Sequence, residues 1–159
     1  MQQHAKVVSN VKPKISKYLT EGRVGYFSDS DLIFDEQQKV IDFVIHCADL
    51  SHNTKKFKLS FKWTSLLMEE FWLQGDIEKS HGLPVSFLCD RTNADVPKSQ
   101  IGFIRGIVCP TYELLFDLLP KLVYLKQDME LNLEEWTSIV EDTNSSSILG
   151  RSPKRKTNK

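Results

Sequence analysis

Apolar residues recur at steps of three and four through residues 35–140, the period of helices that bury one face. The first clear run is Asp35 to Ala48. Val40, Ile41, Val44, Ile45 and Ala48 follow helical spacing, and Phe43 widens the apolar surface. Asp49 follows its last turn, and Ser51, His52 and Asn53 break the pattern. A second helix is predicted from Phe57 to Gln74, its face made by Trp63, Leu66, Leu67, Glu70, Phe71 and Leu73. Gly75 reads as its C-terminal stop, with a short piece, Ile77 to His81, beyond it. The stretch LPVSFLCDRTNADV, residues 83–96, reads as a loop with a few buried anchors. A third helix starts at Pro97, a favoured first-turn residue, and Pro110 must kink or restart it. The last, Lys121 to Val140, carries Leu122, Leu125, Met129, Leu133, Trp136 and Val140 at steps of three and four.

The flanks are different. Residues 1–34 carry little pattern beyond a short helix around Ile15–Leu19, and read as a weakly structured segment. Residues 141–159 are polar, Ser-rich and, from Arg151, basic without a single acid, which predicts a disordered basic tail. No strand pattern and no internal repeat interrupts this. The predicted fold is all-α, with 35–140 as the folded unit.

Composition narrows the function without choosing it. The 159 residues hold 21 Lys+Arg and 21 Asp+Glu, a formal charge of zero. That argues against a nucleic acid or an anionic membrane surface as a partner recognised by bulk charge. No apolar run reaches the ~18–20 residues of a membrane span. Cys47, Cys89 and Cys109 are odd in number and form no C-x-x-C pair, so a disulfide framework is not expected and a cytoplasmic setting is.

Two places could carry chemistry. Asp49 ends an apolar helix, and a carboxylate there must be solvated, paired or bound to a cation. Both a capping carboxylate and a metal ligand fit. His46 and His52 lie three residues to either side, but a helix before Asp49 and a turn after it work against a compact triad. Gln100 and Phe103, at i and i+3, share a helix face. An amide presents a donor and an acceptor side by side, which suits a nucleobase edge, and a ring on the same face can stack on that base. A core Phe103 and a surface Gln100 fit the spacing equally well.

Four strings in order, HCADLSHNTK, WTSLLMEEFWLQGD, GLPVSFLCDR and VPKSQIGFI, resemble the C-terminal half of the catalytic domain of class I cyclic-nucleotide phosphodiesterases. The DLSH and LQGD details are nearest to the calcium/calmodulin-dependent subtype. The resemblance implies an incomplete set of the helices of an HD-superfamily catalytic domain. It implies hydrolysis of cAMP or cGMP to 5′-monophosphates at two divalent ions, zinc and magnesium, that activate a hydroxide. Asp49 then matches a metal-ligating carboxylate, Gln100 the purine-reading glutamine, Phe103 the aromatic clamp and Leu67 the aliphatic clamp. His52, Trp63 and Thr64 match pocket-lining positions.

The histidine motifs that complete the family's metal shell and supply its general acid do not occur in this chain, where His4 alone precedes His46. One carboxylate cannot hold a binuclear centre. The expectation is a chain inactive by itself, its missing ligands supplied by the N-terminal half or another subunit. The alternative is a catalytically dead helical fragment or interaction module. Phe87, Arg105 and Gly106 also depart from the family, which has proline, an acid and a bulky residue there.

Overall fold

The computed structural model describes residues 2–20 and 34–149. They are helical, with no strand among them. Helix α1 is Gln2–Thr20 and α2 is Phe34–Asp49. A 3-10 turn, Ser51–Thr54, leads into α3, Phe57–Ser80. After a loop come α4, Val96–Phe103, a π-helical turn, Ile104–Val108, and α5, Cys109–Leu118. A 3-10 turn at Pro120–Leu122 precedes α6, Leu125–Leu149.

Both flanks differ from expectation. Residues 2–20 form a regular helix whose Val11 and Ile15 lie in the core, beside the half-buried Val7 and Val8. Their spacing of four was a helical signal diluted by lysines and by Pro13, which stands inside α1 on its exposed side. Residues 141–149, expected as tail, continue α6. Residues 21–33 and 150–159 lie outside the described residues.

The core gathers Val11 and Ile15 from α1, Val40, Phe43 and Cys47 from α2, Ile104, Val108 and Tyr112 from the π turn and α5, and Met129 and Trp136 from α6. The buried stripe of α2 is thus 40, 43 and 47, while Ile41 and Ile45 face outwards. The Tyr112 hydroxyl donates to the Cys47 carbonyl at 2.8 Å, locking α5 to the end of α2. Burial pushes the Cys47 thiol up to about 12, so it is an inert core group.

Helix α3 departs furthest from the pattern. It runs unbroken through Gly75, and its inward side is Ser60, Thr64, Met68 and Gly75. Leu59, Trp63, Leu66, Leu73 and Ile77 are each 45–60 % exposed. At Gly75 the inward side lies close against the Cys89 backbone, where no side chain fits. The true stop is Gly82, with φ of +66°. Its N–H bonds the Lys79 carbonyl at 3.1 Å and the Leu83 N–H bonds the Glu78 carbonyl at 2.9 Å, the paired bonds of a glycine-terminated helix.

Pro110 has no N–H to give to the carbonyl four residues back, so the helix widens before it. The Cys109 N–H reaches the Ile104 carbonyl, five residues back, and the Thr111 hydroxyl takes the Ile107 carbonyl at 2.7 Å. At the start of α4, Asp95 accepts the Lys98 N–H at 3.2 Å and Pro97 occupies the first turn, as the sequence predicts. No helix among the described residues is long and apolar enough to cross a membrane.

One contact between α1 and α2 makes stability sensitive to pH. His4 Nδ1 lies 2.7 Å from His46 Nε2, so one imidazole donates and the other accepts. Burial first, and then the neighbouring His46, hold His4 below its ordinary value of 6.5. Burial lowers His52 in the same direction. The unfolded chain therefore takes up these protons first as pH falls. The stabilisation is complete above about 6.5 and is lost as pH drops through the folded-state values. The melting temperature is expected to fall between pH 7.5 and 5.5, and less steeply in His4→Asn. Equal slopes for the two proteins would refute a role for this pair.

Candidate functional site

The 3-10 turn, α3, the 83–95 loop, α4 and the π turn surround a cavity of about 560 Å³. Its walls come from His52, from Leu67 and Phe71 on α3, from Phe87 and Leu88 on the loop, and from Gln100 and Phe103 on α4. Gly102, Gly106 and Ile107 complete the α4 side. The volume suits a small molecule, and walls that are mostly apolar with one buried amide are the usual make-up of such a site.

Four of the residues singled out from the sequence, Gln100, Phe103, Leu67 and His52, meet at this cavity. Thr64 sits behind the wall. It is 1 % exposed, and its hydroxyl lies 3.5 Å from Gln100 Oε1 in position to donate. That contact turns the carbonyl end of the amide toward α3. Trp63 is not part of the wall; its position on α3 leaves it 55 % exposed. Burial lowers the His52 imidazole below its ordinary value.

Sequence reasoning missed Phe71, which it left as core, and the roles of Phe87 and Gly106, which it noted only as departures. Phe87 is 85 % exposed and stands at the cavity edge. A Cβ added at Gly102 or Gly106 would meet nothing within 4 Å, so both glycines leave open space. The signal for Gly106 and Ile107 was their place three and four residues after Phe103. The widened turn keeps them on that face. Arg105 does not line the cavity.

The loop is held by polar ties to α3. Glu78 accepts both the N–H and the hydroxyl of Ser86 at 2.7 Å; the Gln74 amide, which donates to it at 2.7 Å, and then the Ser86 bonds hold its carboxyl below the usual range. Lys79 pairs with Asp90 at 2.9 Å. Arg91 forks onto Glu69 at 3.1 Å, reaches Asp76 at 3.4 Å, and lies over the Trp72 ring. Each tie is exposed and weak alone, but together they fix where Phe87 and Leu88 sit.

Asp49 is the exposed last residue of α2 and does not line the cavity. A carboxylate at a helix C-terminus opposes the helix dipole, so it contributes nothing to the stability of α2. Among the described residues no three His, Cys, Asp or Glu side chains converge on a point that could hold a metal ion. These donors therefore do not fit a binuclear centre.

The sequence model of the family described as 3′5′-cyclic nucleotide phosphodiesterase matches residues 1–129. The chain is 36 % identical over 141 residues to a 3′,5′-cyclic-AMP phosphodiesterase, isoform F, of Drosophila melanogaster, covering 88 % of this chain and 21 % of that protein. It is 49 % identical over 88 residues to the dual specificity calcium/calmodulin-dependent 3′,5′-cyclic nucleotide phosphodiesterase 1B of Bos taurus, covering 55 % of this chain and 16 % of that protein. The crystal structure of the phosphodiesterase domain of Salpingoeca rosetta rhodopsin phosphodiesterase superposes with a TM-score of 0.76 at 27 % identity, over 92 % of this chain and 43 % of that one. The chain thus spans less than half the length of each. With a family model matched from Met1 to Met129 and the same helical arrangement in a solved domain, the chain belongs to the class I 3′,5′-cyclic nucleotide phosphodiesterase family.

Proposed function

We propose that this chain supplies the base-reading wall of a cyclic-nucleotide phosphodiesterase. One observation carries the reading: Gln100, only 6 % exposed, shares a cavity with Phe103 and Leu67 and has its amide oriented by Thr64. The Gln100 amide bonds the base edge, and Phe103 and Leu67 close on its two faces. His52 completes the wall beside the 3-10 turn. The substrate is cAMP, cGMP or both, and the compartment is the cytosol.

The overall reaction is hydrolysis of the cyclic ester. Water oxygen bonds to phosphorus, the bond from phosphorus to the 3′ oxygen breaks, and that oxygen takes a proton. The family carries a general dependence on divalent metal, with zinc and magnesium as the pair we expect. Asp49 is the one carboxylate here that we assign to that shell. The described donors fall short of holding it, so the 159 residues bind nucleotide without turning it over. The exposed stripe of α3, Leu59 to Ile77, favours association with a polypeptide that brings the remaining ligands.

Titrating cAMP and cGMP into the chain, followed by calorimetry, tests this. Gln100→Ala is expected to weaken binding roughly 10- to 100-fold, since the base edge is left buried and unpaired. Binding indifferent to that change would overturn the reading. Metal-dependent turnover by the chain alone, abolished by Asp49→Ala, would overturn the assignment of an inactive chain.

A further inference from the structure

Behind Gln100, between α3 and α6, lies a second cleft of about 480 Å³. Phe61, Thr64, Met68, Trp72, Pro97 and Trp136 line it. Two of these belong also to the nucleotide side. Met68 lines both spaces, and Thr64 reaches Gln100 Oε1 from the cleft wall.

The cleft walls are built from rings. Phe61 stacks on Trp136 with centroids 5.4 Å apart and planes at 23°. Phe57 closes on Trp136 edge-on at 5.4 Å and 73°. Trp136 is 2 % exposed, and its Nε1 is buried with no acceptor; the Nε1 of Trp72 is in the same condition. An indole nitrogen only donates, and a buried donor without an acceptor is costly, so the cleft favours a molecule that brings one. Phe61, the ring stacked on Trp136, is itself 45 % exposed. The one ionised group on the wall, Glu69, is already taken by Arg91, so no free charge is left to select a charged ligand. The volume is in the range of small-molecule sites.

We propose that the α3–α6 cleft binds a flat, neutral aromatic molecule carrying a hydrogen-bond acceptor, and that its occupancy is transmitted to Gln100 through Thr64. The effector role rests on Gln100 reading the base, but the binding does not.

The test titrates coumarin, flat and neutral with a carbonyl acceptor, into the ¹⁵N-labelled full chain. The sequence holds three tryptophans, so three indole N–H signals report. Saturable downfield movement of the Trp136 signal, with a shift of the Gln100 side-chain amide pair, is the expected result. Trp136→Phe keeps a ring in place and removes the donor, and is expected to weaken coumarin about tenfold, the loss of one buried hydrogen bond. Thr64→Val removes the hydroxyl that reaches Gln100 and is expected to abolish the Gln100 shift while the Trp136 shift persists. Shifts confined to Phe103 and Gly102, or affinity unchanged in Trp136→Phe, would overturn the site. If cyclic nucleotide fails to bind while coumarin still moves Trp136, the base-reading assignment falls and the cleft stands.

Discussion

Gly75→Ala is expected to destabilise the protein by about 2 kcal/mol, although in an open helix the same change stabilises by roughly 1 kcal/mol. Gly75 lies within α3 near its C-terminal end, where a Cβ would run into the carbonyl oxygen of Cys89 and lie 3.0 Å from its Cβ. The obstacle is backbone, and that backbone cannot drift. The Cys89 N–H bonds Ser86 at 3.0 Å, Ser86 is gripped by Glu78, and Leu88 already holds a φ of +64°. Overpacking against a fixed carbonyl outweighs the propensity gain. Because Phe87 and Leu88 line the cavity, nucleotide affinity should fall along with stability. Urea unfolding measures the first and calorimetry the second. A variant as stable as the parent would show that α3 and the loop are not in this close contact.

Asn132→Ala is expected to cost about 2–4 kcal/mol, the penalty of leaving two carbonyls unpaired. Asn132 is fully buried on α6, and its amide nitrogen donates to the Asn53 carbonyl at 2.7 Å and the Lys55 carbonyl at 2.8 Å. It is the clamp that holds the turn carrying His52 to α6. The exposed Lys56–Asp128 pair at 2.8 Å sits beside it and cannot replace it. Asn132→Asp separates the hydrogen bonds from simple volume. It keeps the shape but turns two donors into acceptors facing two carbonyls, so it should be at least as damaging at pH 7. Its deficit relative to the parent should shrink as the pH falls and the carboxyl is protonated. A deficit independent of pH, equal to that of the alanine variant, would mean that packing alone matters there.

Much of the fold was readable in the chain because the period of α5 and α6 is a direct consequence of burial on one face. Met129, Leu133 and Trp136 sit inward as their spacing predicts, and Asn132, beside them, was unreadable because its partners are backbone atoms 77 and 79 residues away. On α2 the expected stripe of 40, 41, 44, 45 and 48 is rotated in the structure towards 40, 43 and 47, with Ile41 and Ile45 turned outwards. Each set has helical spacing, and only contact with α1 and α5 selects one of them. On α3 the pattern mixes residues that the described residues leave open, Trp63, Leu66 and Leu73, with Leu67 and Phe71, which line the cavity. A hydrophobic stripe records that a face is covered by something, and not that the cover belongs to this chain.

The site divides along the same line. Gln100 and Phe103 could be paired from sequence because three residues on a helix bring side chains together whatever the rest of the fold does. Leu67 and His52 were placed by family resemblance, and tertiary packing brought them to the cavity while leaving Trp63 outside. The role of Gly75 was invisible in one dimension, since glycine as a stop and glycine as a close approach look alike until Cys89 arrives from the loop. By itself, then, the sequence determined the helical class, the family and the pairing of Gln100 with Phe103 on one helix face, which depend on local period and on motifs. The tertiary structure alone decided which faces of α2 and α3 are inside, what holds the His52 turn and the loop in place, and that a second cleft stands behind Gln100. Those depend on contacts between segments far apart in the chain, which carry no signature in the order of residues along either one.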